Sequence, residues 1–171
     1  YHTMKFSSPL IPGTLLKRYR RFLVDVRLED GSIVTAHCPN SGSMVGCSEP
    51  GRPVLLLKST TPNRKNALNW ELINMNGTWV SINPLVGQKI AFEAIEAGTI
   101  SSLKEYGDPQ RDAIYGMHTQ VDMLMHGMER NAVVNIFTVT WAENGVALFP
   151  DAVNPKAEKK ILRLAEIAKQ G

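Results

Sequence analysis

One carboxylate stands inside an apolar run: Asp122, in Val121-Asp122-Met123-Leu124-Met125. An acid on a strand can hold a hard cation through oxygen, so catalysis in this chain would most naturally centre on it. Glu93 and Glu96 are three apart in a helical pattern and are neighbours on its surface. They read as solvated charges, with Glu93, between Phe92 and Ala94, the one able to turn towards a sheet. A second group suits a polyanion. Lys17-Arg18-Tyr19-Arg20-Arg21-Phe22 sets four cations and two aromatics within six residues. Read as a strand, it spreads cations over both faces, where a phosphate backbone can reach them and Tyr19 can stack on a base. The plainer reading is a solvated strand end whose Phe22 joins the core. Arg64-Lys65 adds charge in a loop. A third group is His37-Cys38-Pro39-Asn40-Ser41-Gly42-Ser43-Met44-Val45-Gly46-Cys47. Its two thiols are nine apart and lack the second pair that a structural zinc site needs. They read as buried thiols bracketing a rigid loop, whose N–H groups and Asn40, Ser41 and Ser43 side chains could meet a phosphate. His118 and His126, eight apart, form no nucleophile–base couple and read as surface residues.

The elements that must position these groups fall into two sets. From Arg20 to Leu28 the chain alternates, with Phe22, Val24, Val26 and Leu28 on one face. Glu29-Asp30-Gly31-Ser32 is a turn, and Ile33 to His37 returns as a hairpin. Val54–Leu57 is a short buried strand, and Asn76-Gly77 joins Trp70–Ile73 to Trp79–Ile82. About five short strands with Gly and Pro punctuation suggest a small barrel. Asn83-Pro84 then caps and opens a helix that stops near Gly98, and Asn154-Pro155 opens a second with its stop at Gly171. Between them, Val121–Met125, Ala132–Trp141 and Gly145–Phe149 read as three consecutive strands of one sheet. Helix, three strands, helix is an α/β layer, and the boundary between domains falls near residue 82. A final helix usually leads into another strand, so the second domain reads as short by one.

The chain has 171 residues, 43% hydrophobic and 20% charged, ordinary values for a soluble globular protein. No apolar run reaches the length of a transmembrane helix, and no basic-then-apolar leader is visible, which leads to a cytoplasmic expectation. Tyr1-His2-Thr3, before Met4, resemble a vector remnant. Net charge is +3 but uneven: residues 1–80 carry 10 Lys and Arg against 5 Asp and Glu, and residues 81–171 carry 9 against 11. A basic first half favours a polyanionic partner. Two cysteines make no disulfide framework, and both are expected as thiols.

With these residues in view, the chain resembles the sugar fermentation stimulation protein A family of bacteria and archaea. The matching segments are Leu16 to Val26, the His37–Cys47 loop, Trp70-Glu71-Leu72, Glu93-Ala94-Ile95, Tyr115-Gly116 and Phe149-Pro150-Asp151-Ala152-Val153. The resemblance implies an α+β protein: an N-terminal OB-fold-like barrel over 4–82, then a restriction-endonuclease-like α/β domain over 83–171, incomplete at its C-terminus. It also implies DNA binding and a regulatory role in sugar metabolism. The nuclease-like core of the family carries an Asp on one strand and Glu-x-Lys on the next. Two carboxylates there hold Mg²⁺, and the Lys, on the same face as the Glu, helps position water. Asp122 matches the Asp and is the expected metal ligand, but Asn135 stands at the Glu position and Phe137 at the Lys position. Glu93, Glu143 or Asp151 are the carboxylates that a relocated site would need.

The expectation is therefore a DNA-binding protein, monomeric or homodimeric, acting on double-stranded DNA without a cofactor, whose nuclease-like domain is degenerate. Lys17, Arg18, Tyr19, Arg20, Arg21, Asn40, Ser41, Ser43, Arg64 and Lys65 are the expected contacts, and Asp122, Asn135 and Glu93 the vestigial site. The rivals are a Mg²⁺-dependent endonuclease with relocated residues and a regulatory module binding a small anion or a protein partner.

Overall fold

The computed structural model describes residues 4–61 and 65–170. The chain forms two compact units that exchange segments. One contains 5–87 and 138–153, the other residue 4, 88–137 and 154–170.

The first unit is a barrel. Its strands are β1 (Ile11–Tyr19), β2 (Leu23–Leu28), β3 (Ile33–His37), β4 (Pro53–Lys58), β5 (Leu68–Met75) and β6 (Thr78–Ser81). They run in the order β3-β2-β1-β4-β5-β6, and a parallel pairing of His37 with Asn69 joins β3 to β5. That contact closes five strands on themselves in the circular order of an OB-fold, and among the described residues β6 pairs with β5 alone. The period-2 pattern does the sorting: Val24 and Val26 point inwards with Leu15, Val54, Leu56, Trp70 and Ile73, all at 0% exposure. Turn chemistry matches the expected hairpins, with Asn76 and Gly77 both at positive φ (53° and 87°). Arg20 to Phe22, however, is not strand. β1 ends at Tyr19, β2 starts at Leu23, and the three residues between are the hairpin loop. Phe22 therefore does not join the core face but stands 49% exposed.

The segment 138–153 also lies with the barrel. Trp141–Glu143 (β7) pairs antiparallel with Val146–Leu148 (β8) as a separate two-stranded sheet. The third apolar run, expected from its spacing to be a strand of the Asp122 sheet, is thus not part of that sheet. A two-residue Asn144-Gly145 turn, both at positive φ, pairs it locally with its neighbour instead.

The second unit holds a three-stranded antiparallel sheet: β9 (Gly107–Tyr115), β10 (Thr119–His126) and β11 (Ala132–Val134), in that order. β9 was not legible as a strand, because Gly-Asp-Pro-Gln-Arg-Asp carries no alternation and bends at Asp108 and Asp112, both at positive φ. β11 is short; its pairing ends at Val134, opposite Met123. Helix α1 (Pro84–Glu96) buries Phe92 and Ile95 against Met123 and Met125. It stops where Gly98 takes φ +66° and donates its N–H to the Ile95 carbonyl. Helix α2 (Pro155–Lys169) starts as expected, its Asn154 side chain accepting from the Ala157 N–H at 3.1 Å. The expected stop at Gly171 and the expected contact Arg64 lie outside the described residues, as do Tyr1-His2-Thr3.

Candidate nucleic-acid interface

The basic segment at the end of β1 divides into a structural residue and an exposed tip. Arg18 is the structural one. Its guanidinium donates to the carbonyls of Asn40 (2.9 Å), Gly42 (2.8 Å) and Ser43 (3.0 Å), and its Nε donates to the carbonyl of Arg21 (3.1 Å). A planar fork of five N–H groups matches such a cluster of acceptors, and a lysine would not. Arg18 therefore holds the His37–Cys47 loop with one edge and the hairpin loop with the other, rather than standing free for phosphate.

The loop it grips is also held from within. Asn40 is buried; its amide donates to the Ile82 carbonyl (3.1 Å), and its side-chain oxygen accepts from the Gly42 N–H (2.8 Å). Ser43 Oγ donates to the Asp151 carbonyl (2.8 Å), and the Asp151 carboxylate accepts from the Met44 N–H at 2.7 Å. The seat expected for a phosphate is filled by a carboxylate of the same chain. Gly42 makes room for it: a Cβ there would stand 3.1 Å from Asp151 Oδ2 and 2.9 Å from Asn40 Oδ1. Gly46 does the same for the neighbouring strand, since a Cβ would meet Trp141 Cδ1 at 2.9 Å. Of the expected loop contacts only Ser41 stands exposed without such a role. Both thiols are free and fully buried, and Cys38 Sγ donates to the Asn40 carbonyl (3.4 Å). Burial pushes the Cys47 thiol up to about 11, so it stays protonated at neutral pH and is a poor nucleophile or metal ligand.

On the β2–β3 face, Asp25 gathers its neighbours. Its carboxylate accepts from Tyr19 (3.0 Å) and Thr35 (2.8 Å) and pairs with Lys17 at 3.6 Å. Burial pushes its pKa up, but the Thr35 and Tyr19 hydrogen bonds and the Lys17 charge outweigh that and hold it below the ordinary value. Lys17 Nζ also lies 5.3 Å from the centre of the Tyr19 ring. Tyr19 thus has its hydroxyl engaged and one ring face covered.

Lys17 is exposed beside Asp25, and so are Arg20, Arg21 and Phe22 at the tip and Lys58 and Lys65 about the β4–β5 loop. The pairing brings the two loops to one side of the barrel. Leu23, at the root of the tip, pairs with His37, and His37 pairs with Asn69, at the root of the β4–β5 loop. Two strand spacings, roughly 10 Å, separate the roots.

In the other unit, Asp122 takes the place of a missing piece of ladder. Its N–H donates to Asn135 Oδ1 (3.1 Å), and its Oδ2 accepts from the Ile136 N–H (2.7 Å), just beyond where β11 stops pairing. Its other oxygen accepts from Lys160 of α2 at 3.0 Å. Among the described residues no three His, Cys, Asp or Glu side chains converge as metal ligands. Glu93 accepts from the Met4 N–H (2.8 Å). Glu143 accepts from Trp141 Nε1 (3.2 Å), and Asp151 is held at Met44 in the barrel unit. Glu96 grips Arg111 with two bonds of 2.8 Å, while the Arg111 guanidinium lies 4.6 Å from the Phe92 ring centre. A groove of about 880 Å³ runs between α2 and β10, lined by Lys156, Lys159, Lys160, Arg163 and Asn135 among others. His118 and His126 are exposed.

What sequence reasoning missed were the roles of Arg18, Asp151 and Lys160. The signal was present in part: the His-Cys-Pro-Asn loop and the Phe-Pro-Asp-Ala-Val segment were both singled out, but nothing in their spacing says that one carboxylate caps the other's N–H group. Two outcomes follow from this geometry. Arg18→Ala lowers the stability of the fold by at least about 2 kcal/mol in chemical denaturation, and Arg18→Lys recovers little of it. Asp25 has a depressed folded pKa, so its contribution is complete above the ordinary value of 3.8 and is lost as pH falls through the lower folded value. The stability difference between wild type and Asp25→Asn, followed by thermal melts, is accordingly constant above about pH 5 and shrinks below pH 4.

Comparison with known proteins matches both halves of the chain. Residues 16–82 match the model of the SfsA N-terminal OB domain, and residues 85–171 that of the sugar fermentation stimulation protein RE domain. The sugar fermentation stimulation protein homolog of Citrifermentans bemidjiense is 47% identical over 168 residues, covering 98% of this chain and 73% of that protein. The homolog of Maricaulis maris is 41% identical, covering 98% and 72%. The structure of SfsA from Pyrococcus furiosus in complex with Ca²⁺ superposes with a TM-score of 0.81 at 22% identity, over 100% of this chain and 72% of that one, a likeness of fold. With an OB barrel, an α/β second unit and relatives of this identity along almost its whole length, the chain belongs to the sugar fermentation stimulation protein family.

Proposed function

We propose that this protein binds DNA through the barrel, using the hairpin tip Arg20-Arg21-Phe22 and the basic β4–β5 loop, and that its nuclease-like unit does not cut. The observation that carries the reading is the conformation of the tip. Arg20 and Arg21 stand at φ 49° and 62°, both in the left-handed region. A side chain there costs roughly 1 kcal/mol, and glycine or asparagine is the easy choice. The hairpin sets that backbone; the use of arginine at both positions, in place of glycine or asparagine, is explained by what the guanidiniums meet. OB barrels present the β1–β2 and β4–β5 loops to oligonucleotides, and here both loops are basic. The binding is electrostatic in the main and hence steeply salt-dependent. A role in regulating sugar metabolism and a cytoplasmic location accord with the family.

The silence of the nuclease-like unit rests on chemistry. Asn135 and Phe137 stand at the Glu and Lys positions, and both Asp122 oxygens already accept hydrogen bonds, one from a lysine. A carboxylate whose partner is an ammonium group has less need of a cation, and an amide oxygen is a weak magnesium ligand.

Two variants test the DNA reading. Arg20→Ala/Arg21→Ala/Lys65→Ala flattens the slope of log affinity against log salt by about 2–3, measured by anisotropy with labelled DNA. Arg20→Gly/Arg21→Gly moves two properties in opposite directions: affinity falls, while the melting temperature rises by about 2–4 °C as the strain is relieved. An unchanged salt slope in the triple variant refutes the proposal. Plasmid nicking in Mg²⁺ that disappears in Asp122→Ala would restore the endonuclease.

A further inference from the structure

Phe22 is the one aromatic at the tip with its ring free, 49% exposed between the two strained arginines and the core. Its backbone is fixed on both sides. The Phe22 carbonyl accepts from the Cys38 N–H at 2.8 Å, its own N–H donates to the Arg20 carbonyl at 2.7 Å, and Arg18 Nε holds the Arg21 carbonyl. The side chain therefore projects from a rigid support, with little conformational entropy left to lose on binding. Tyr19, the other aromatic of the segment, is engaged by Asp25 and covered by Lys17. An exposed ring that follows two exposed arginines in the same turn suits one chemistry: a nucleobase stacked on the ring while the arginines meet the phosphates on either side of it.

We infer that the tip recognises DNA whose bases are unstacked, single-stranded DNA above all, with Phe22 as the stacking platform. This deepens the DNA-binding reading and rests on it. A closed duplex keeps its bases paired and offers the ring nothing but a backbone, so it engages the arginines alone. Stacking on an aromatic is sequence-tolerant, because every base has a π-face, so the preference is for an open strand and not for a sequence.

The experiment compares wild type, Phe22→Ala and Phe22→Trp on a labelled oligothymidylate and on a blunt duplex of equal length, by anisotropy at one salt concentration. Thermal melts accompany each variant; the half-exposed ring leaves the core intact when truncated. Wild type binds the single strand more tightly than the duplex. Phe22→Ala loses about tenfold or more on the single strand and little on the duplex, and Phe22→Trp retains or improves single-strand affinity. Equal single-strand affinity of wild type and Phe22→Ala overturns the inference while leaving DNA binding in place. Binding of neither DNA by wild type overturns the underlying reading and this inference with it.

Discussion

A single guanidinium ties two loops of the barrel together. Arg18 reaches from the last turn of β1 to three carbonyls of the His37–Cys47 loop and to one of the hairpin tip. None of those four carbonyls lies in a ladder, and charge-assisted bonds are about twice as strong as neutral ones. The Asp151 carboxylate completes the same loop from the other side by accepting the Met44 N–H. The loop is thus held by a cation on its carbonyls and an anion on its N–H, both supplied by the chain. This support leaves Arg20, Arg21 and Phe22 exposed, the two arginines in a left-handed conformation that their side chains disfavour.

The second unit uses its polar residues in a comparable way, with a different result. Asp122 and Asn135 continue the pairing of β10 and β11 with side chains once the backbone ladder has ended. Lys160 adds the opposite charge that a half-buried carboxylate wants. Asp122 is thus a fastening between two strands and a helix. The groove beside it is basic through Lys156, Lys159 and Arg163, but the acids that would hold a metal are engaged elsewhere.

Local signals made much of this fold readable. Asn76-Gly77 needed two positive φ values and obtained them, and Asn154-Pro155 opened a helix with the expected side-chain cap. The buried thiols flanking a rigid loop were legible from composition. What escaped was non-local. Trp141 to Leu148 looked like the continuation of the Asp122 sheet, yet it packs with the barrel, because glycines at 42 and 46 open the space for it. Alternation also carried through Arg20 and Phe22, where a hairpin loop interrupts it, so a ring assigned to the core lies outside. Spacing reports which face a residue takes within an element; it does not report that the element has ended. The basic run was correctly seen as unusual, but its four cations looked alike, and only the contacts separate Arg18, a fastener, from Arg20 and Arg21.

We propose the DNA surface on the barrel tip, and neither on the His37–Cys47 loop nor on the sheet of the second unit. Backbone amide shifts during a titration with a short DNA strand test that division directly. The largest changes are predicted at Arg20 to Phe22 and around Lys65, with Asn40 to Met44 and Val121 to Asp122 nearly still. Dominant changes at His118 to Asp122, Asn135 and Lys160, with a silent tip, would contradict it.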